Sequence, residues 1–194
     1  MVMERLDGED LAALIERLGR LPVDEGVGLV LQACRAVRVA HQEGIVHRDI
    51  KPGNLFLANV RGRSMLKVVD FGISKALTRS ANEDGPASSI TQVGSMLGSP
   101  RYMAPEQMVD ARNVDARSDI WALACTAYRM VTGVPPFDGS SIPEICSAVL
   151  TARPVSADRV YPGVPPGLGQ VLARGMAKSR GDRFPDIDAF MAAL

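Results

Sequence analysis

The chain has 194 residues, 46% hydrophobic and 23% charged, which supplies a sizeable core and excludes a disordered segment. Its 22 basic and 22 acidic residues cancel, so nucleic acid or an anionic membrane is not expected as a bulk-charge partner. No apolar run reaches membrane-spanning length and Met1-Val2-Met3-Glu4-Arg5 is no secretory leader, which predicts a cytoplasmic protein.

In chain order, the pattern predicts helices over 9–19 and 24–43. In the second, Val27, Val30, Leu31, Cys34 and Val37 recur at three- and four-residue spacing and form one apolar stripe, with Asp24 in the first turn and Gly44 as a stop. A polar loop, His47–Asn54, comes next. Two apolar runs then follow, Leu55–Leu57 and Leu66–Val69, with the turn-rich Asn59–Ser64 between them, which predicts a small hairpin. Residues 74–100 carry Ser74, Thr78, Ser80, Ser88, Ser89, Thr91, Ser95 and Ser99 with little apolar periodicity, which predicts a mobile loop. Helical periodicity returns over 117–131, 140–151, 168–177 and 185–193, interrupted by Gly133–Pro136 and Pro162–Gly169. The expected fold class is mainly α with a short β-hairpin. Cys34, Cys125 and Cys146 are isolated in apolar helical patterns, as buried free thiols are.

The polar loop reads His47-Arg48-Asp49-Ile50-Lys51-Pro52-Gly53-Asn54, and Asp70-Phe71-Gly72 follows the hairpin. Further on stand Gly98-Ser99-Pro100-Arg101-Tyr102-Met103-Ala104-Pro105-Glu106, Asp119-Ile120-Trp121, and Arg183. In this order the motifs resemble the C-terminal (large) lobe of the eukaryotic-like protein kinases, especially the bacterial serine/threonine kinases, whose complete fold is a two-lobe α+β structure. The resemblance covers essentially the whole chain. It divides residues 1–194 into a hinge (1–8), a catalytic loop (46–54), an activation segment (70–106) and a helical remainder (107–194).

The resemblance implies transfer of the ATP γ-phosphoryl group to Ser or Thr hydroxyls of a protein substrate, with Mg2+ as the metal. Asp49 matches the residue that accepts the hydroxyl proton. Lys51 matches the lysine that meets the γ-phosphate, and Asp-Ile-Lys-Pro-Gly-Asn favours the Ser/Thr type. Asn54 and Asp70 match the magnesium ligands, and their hard oxygens suit that ion. At the nucleotide, Met3 matches the gatekeeper, the backbone of Glu4 and Leu6 the adenine edge, and Phe56 the adenine floor. Asp10 is read either as facing the ribose or as an acid favoured at a helix start. Glu106 and Arg183 match a buried ion pair that braces the activation segment, and Asp119 the residue that holds the catalytic-loop backbone. Trp121, His41 and His47 are read as packing residues rather than ligands or bases. Arg48 marks kinases switched on by phosphorylation of the activation loop. The expected phosphosite is Thr91, then Ser95, and an unmodified flexible hydroxyl is the alternative.

Only 46 residues precede His47. The four lysines are Lys51, Lys67, Lys75 and Lys178, and none stands before the loop where a strand lysine belongs. Gly26-Val27-Gly28 lies in a helix pattern and lacks the third glycine of a phosphate-covering loop. The N-terminal lobe is therefore expected to be missing, through truncation, a mis-called start or a split gene, and the chain to be inactive alone. The alternative expectation is a non-catalytic kinase-lobe module that docks on a partner kinase. Its partners would then be that kinase or a separately encoded small lobe.

Overall fold

The computed structural model describes residues 6–60, 62–70 and 100–194. Met3 and Glu4, Phe71 and Gly72, Thr91, Ser95, Ser99 and all of the expected loop over 74–100 but Pro100, which starts a 3-10 turn, lie outside the described residues.

Strand β1 (Gly8–Asp10) opens the described chain, so the expected helix over 9–19 gives way at its start to a strand. Helix α1 (Leu11–Leu18) begins where the Asp10 carboxylate accepts the Ala13 N–H at 2.9 Å, satisfying one of the donors a helix start leaves open. Its Leu11, Leu14 and Ile15 are buried at helical spacing. Helix α2 (Val23–Gln42) buries Leu29, Val30, Ala33, Cys34 and Val37, and the Gly44 N–H closes on His41 O at 3.0 Å just past its end.

Strands β2 (Leu55–Val60) and β3 (Arg63–Val68) pair antiparallel, Leu55 opposite Val68 and Val60 opposite Arg63. They are longer than the apolar runs suggested, because Ala58, Asn59, Val60, Arg63, Ser64 and Met65 join the ladder, and Gly62 stands at the corner. There the Asn59 side chain accepts the Gly62 N–H at 3.0 Å. β1 adds to the other edge of β2, giving the order β1-β2-β3. Gly8 permits this pairing. Its φ is 143°, and a Cβ there would lie 2.1 Å from Leu57 O.

Beyond residue 100 the chain is helical. Helix α3 (Pro105–Val109) is followed by α4 (Arg117–Thr132), α5 (Ile142–Thr151), α6 (Ala157–Val160), α7 (Pro166–Gly175) and α8 (Ile187–Ala193). α4 is the centre of the core, buried on every face from Ser118 to Tyr128, and it packs against α2, α6, α7 and α8. It stops at Gly133, whose φ of 81° and whose approach to Gly19 O, 2.8 Å from a built Cβ, exclude a side chain. The short α3 and α6 escaped the sequence reading because a helix of one turn has too few residues to show a period. Cys34 and Cys125 are buried free thiols, and burial pushes Cys34 up to about 12. Cys146 on α5 is only half-buried, against expectation. Among the described residues no helix is long and apolar enough to cross a membrane.

The Glu106–Arg183 pair ties the start of this half to its end. The fully buried Arg183 guanidinium donates to both Glu106 oxygens at 2.7 Å, and to Ala177 O, Arg117 O and Lys178 O. Ser118 Oγ donates to Glu106 Oε1 at 2.6 Å. Burial works against ionisation of Glu106, but the Arg183 and Ser118 hydrogen bonds outweigh it and hold its carboxyl below the ordinary range. A folded value below the unfolded one gives stability that is present above about pH 4.5 and lost as the pH falls through the folded value. Glu106→Ala, which strands a buried cation, should cost about 3–5 kcal/mol in urea unfolding. The double change to Glu106→Leu and Arg183→Met should recover most of that loss.

Candidate active site

The loop from His47 to Asn54 has no regular ladder of its own until a 3-10 turn at Pro52–Asn54, so side chains from elsewhere must hold its backbone. Asp119, in the first turn of α4 and 1% exposed, does most of this. Its Oδ2 accepts the His47 N–H at 2.8 Å and its Oδ1 the Arg48 N–H at 2.9 Å. Oδ2 also meets His41 Nε2 at 2.8 Å, which places α2, the loop and α4 around one carboxylate. A buried charge with this many donors is satisfied, and the positive end of α4 favours it further.

His47 is fully buried. Its Nε2 lies 3.2 Å from Val69 O and its Nδ1 3.3 Å from the Asp49 N–H. A carbonyl on one side and an N–H on the other require the neutral ring with its proton on Nε2. Burial lowers the imidazole pKa, although Asp119 and Val69 O pull the other way. His47 is thus a neutral brace between the loop and the exit of β3.

Asp49 sits at the open side of the loop, its side chain 15% exposed. Lys51 Nζ donates to its Oδ2 at 3.0 Å and Asn54 Nδ2 to the same oxygen at 3.1 Å. Asn54 Nδ2 also donates to the Asp49 carbonyl at 2.8 Å. With both bonds on its nitrogen, the Asn54 amide turns its oxygen the other way, a hard donor ready for a cation. The Asn54 carbonyl accepts the Val69 N–H at 3.0 Å, which brings Asp70 to the same end of the hairpin. Asp70 is exposed and has a φ of 55°. An amide oxygen and a carboxylate fit magnesium, which takes few protein ligands and completes its shell with water and phosphate oxygens. Among the described residues no group of three or more His, Cys, Asp or Glu stands together as a closed metal cage.

Phe56 on β2 is the direct cross-strand partner of Asp10, so the residues matched to the adenine floor and the ribose are neighbours. The Asp10 oxygen used in the helix cap leaves one carboxylate oxygen for any second role. Leu6 is half-buried just ahead of β1. The Arg48 backbone has a φ of 66°, unusual for a bulky residue. Sequence reasoning missed two contributors. Ser118 binds Glu106, and Gln107 donates from Nε2 to the Arg48 carbonyl at 2.9 Å. The available signal for Gln107 was a Gln three residues after the helix-entry Ala104-Pro105, a capping-box position.

A loop braced by a helix carboxylate is thus followed by an aspartate with a positive φ. The protein kinase domain family matches residues 1–161, and the chain belongs to that family. Within it the chain falls in the eukaryotic-like bacterial branch. It is 39% identical over 197 residues to the serine/threonine-protein kinase Pkn1 of Myxococcus xanthus, covering 100% of this chain and 27% of that one. It is 33% identical over 184 residues to the serine/threonine-protein kinase PknB of Mycobacterium leprae (strain TN), covering 95% and 28%. The chain thus spans little more than a quarter of these relatives. The crystal structure of the Mycobacterium tuberculosis PknI kinase domain superimposes with a TM-score of 0.72 at 29% identity, covering 98% of this chain and 63% of that one.

The neutral His47 gives a pH test. Its folded pKa lies below the ordinary 6.5, so the unfolded chain takes up a proton near pH 6.5 that the folded chain refuses until lower pH. Stability is therefore lost as the pH falls below about 6.5. In urea unfolding at pH 7.5 and pH 5, the parent should lose more stability on acidification than His47→Phe.

Proposed function

We propose that this chain is the large lobe of a protein serine/threonine kinase and carries the residues that receive and activate the acceptor hydroxyl. The observation that supports this most is the Asp49–Lys51–Asn54 cluster, with Lys51 and Asn54 converging on one Asp49 oxygen. An alcohol is a poor nucleophile, and a carboxylate fixed beside it takes up its proton as the bond to phosphorus forms. The two donors fix the rotamer of Asp49 and keep its charge compensated until the hydroxyl arrives. Lys51, paired with Asp49 at rest, is a cation of the reach and mobility needed to meet the γ-phosphoryl oxygens of ATP. Asn54 and Asp70 are the oxygens that would hold Mg2+, which offsets charge on the β- and γ-phosphates. Asp10 and Phe56, paired across the sheet, would serve the ribose and adenine, with Leu6 just ahead of them in the chain.

A scaffold that only docked on another kinase has no physical use for the Asp49 cluster, so the catalytic reading is preferred. The 194 residues contain no lysine ahead of Lys51 and no phosphate-covering glycine loop, so those parts of an ATP site must come from outside them. Single preorganised donors of that kind are worth roughly 10²–10³ in rate. The 194-residue chain on its own should therefore transfer phosphate from Mg-ATP far more slowly than ~1 s⁻¹, the low end for kinases.

The test joins the small lobe of a bacterial relative ahead of Leu6 and follows transfer of radiolabelled phosphate to a Ser/Thr-containing protein. The fusion should label serine and threonine, and Asp49→Asn should reduce the rate by roughly 10²–10⁴, the worth of a general base. A fusion whose transfer is indifferent to Asp49→Asn would sink the assignment. Within the active fusion, Thr91→Ala should lower activity if the Arg48-linked phosphosite is Thr91. Unchanged activity removes Thr91 from that role and leaves Ser95 to be tried.

A further inference from the structure

We propose that Gln107, on α3 and 59 residues from Arg48, is a positioning residue that fixes the peptide plane leading into Asp49. The proposal rests on the phosphoryl-transfer reading of Asp49 given above. Gln107 Nε2 donates to the Arg48 carbonyl at 2.9 Å, and Gln107 Oε1 accepts the Ala104 N–H at 3.0 Å. One partner is an obligate acceptor and the other an obligate donor, so only this orientation of the amide satisfies both. The Arg48 carbonyl belongs to the same peptide unit as the Asp49 N–H, which faces His47 Nδ1 at 3.3 Å. Gln107 and His47 thus grip the two ends of one peptide plane, and that plane sets the direction in which Asp49 leaves the loop.

This grip is needed because Arg48 is held at a φ of 66°, a conformation that costs a bulky residue energy and persists only where the surroundings over-determine it. Asp119 secures the N–H of Arg48 and Gln107 secures its carbonyl. The two clamps differ in what they report. Asp119 belongs to the core helix α4. Gln107 belongs to the one-turn α3, which follows directly on residues 100–104. Ala104, the other partner of Gln107, is fully buried in that segment. If the segment leaves its seat, the Arg48–Asp49 peptide loses its carbonyl partner. Asn54, bonded to both the carbonyl and carboxylate of Asp49, then loses its geometry with it. Gln107 so links the placement of the substrate-side segment to the aim of Asp49.

The plainer account makes Gln107 a capping-box residue, whose oxygen alone satisfies the Ala104 N–H at the start of α3. A glutamate serves that purpose as well as a glutamine. Only the loop clamp needs the amide nitrogen, so Gln107→Glu separates the two. The variant keeps the cap but sets a carboxylate oxygen against the Arg48 carbonyl.

The experiment is NMR on the isotope-labelled 194-residue chain. In Gln107→Glu, the Ala104 amide should keep its protection and the chain should stay folded, its melting midpoint lowered by only a few degrees. The Arg48 carbonyl carbon and the Asn54 side-chain NH₂ should shift, and Asp49 amide exchange should rise about tenfold, as for loss of one hydrogen bond. Gln107→Leu should move the Ala104 signals as well. Unchanged Arg48, Asp49 and Asn54 signals in folded Gln107→Glu overturn the proposal. So does a change spread evenly over the core, which marks general loosening. These readings need no phosphoryl transfer, so a fusion that fails to transfer phosphate would overturn the functional reading and leave this signature to be judged separately. In an active fusion, Gln107→Glu should lower kcat roughly 10–100-fold with the KM for ATP unchanged, the mark of a misaimed group.

Discussion

The site depends first on one buried carboxylate. Asp119 takes the His47 and Arg48 N–H groups on its two oxygens and meets His41 as well, and it does so at the start of the most deeply buried helix. Taking a charge out of water is expensive, and only several short hydrogen bonds offset that cost. Because the donors are backbone groups of the loop, their removal would harm both parties. The loop would lose its template and the core would keep an unpaired ion. This mutual dependence makes a stretch without ladder hydrogen bonds as well fixed as a strand.

A second buried charge pair organises the other side. Arg183 is enclosed by Glu106, three backbone carbonyls and the face of Trp121, 5.0 Å from its guanidinium carbon. Such pairs are weak devices for stability, since an apolar pair of similar volume does as well. They are strong devices for uniqueness of arrangement, because a bidentate fork accepts one approach only. Glu106 stands in the first turn of α3, and Ser118, which also binds Glu106, is next to Asp119 in α4. The two ion sites therefore share one helical turn.

The grouping of Asp49, Lys51 and Asn54 was legible in the sequence because its spacings are short. The three fall within six residues, so one turn can bring them together once Asp119 and Gln107 hold its backbone. The α2 stripe was legible in part, since twenty residues show their period clearly, but Leu29 and Ala33 are buried in it while Val27 and Leu31 are only half-buried. What the sequence hid was long-range or short-lived. β1 spans three residues, and only pairing with β2 makes it a strand, so local pattern favoured extending α1 backward over it. α3 and α6 are single turns. Gln107 carries no mark of its role, because its meaning comes from a carbonyl 59 residues away that faces it only because Asp119 has already turned the Arg48 backbone.

That order of dependence explains where the backbone is strained. Among the described non-glycine residues, positive φ occurs at Arg48 and Asp70, one on each side of the Asp49–Asn54 cluster. Asp tolerates this region through its short polar side chain, whereas Arg has no such compensation. Each such residue costs of order 1–3 kcal/mol and is retained where surrounding bonds over-determine it. At Arg48 those bonds are visible: the N–H is held by Asp119 and the carbonyl by Gln107. A relaxed Arg48 would swing the next peptide and carry Asp49 away from Lys51 and Asn54. The energy stored at Arg48 is therefore the cost of aiming Asp49, and it is met by polar groups that the core has already buried for its own reasons.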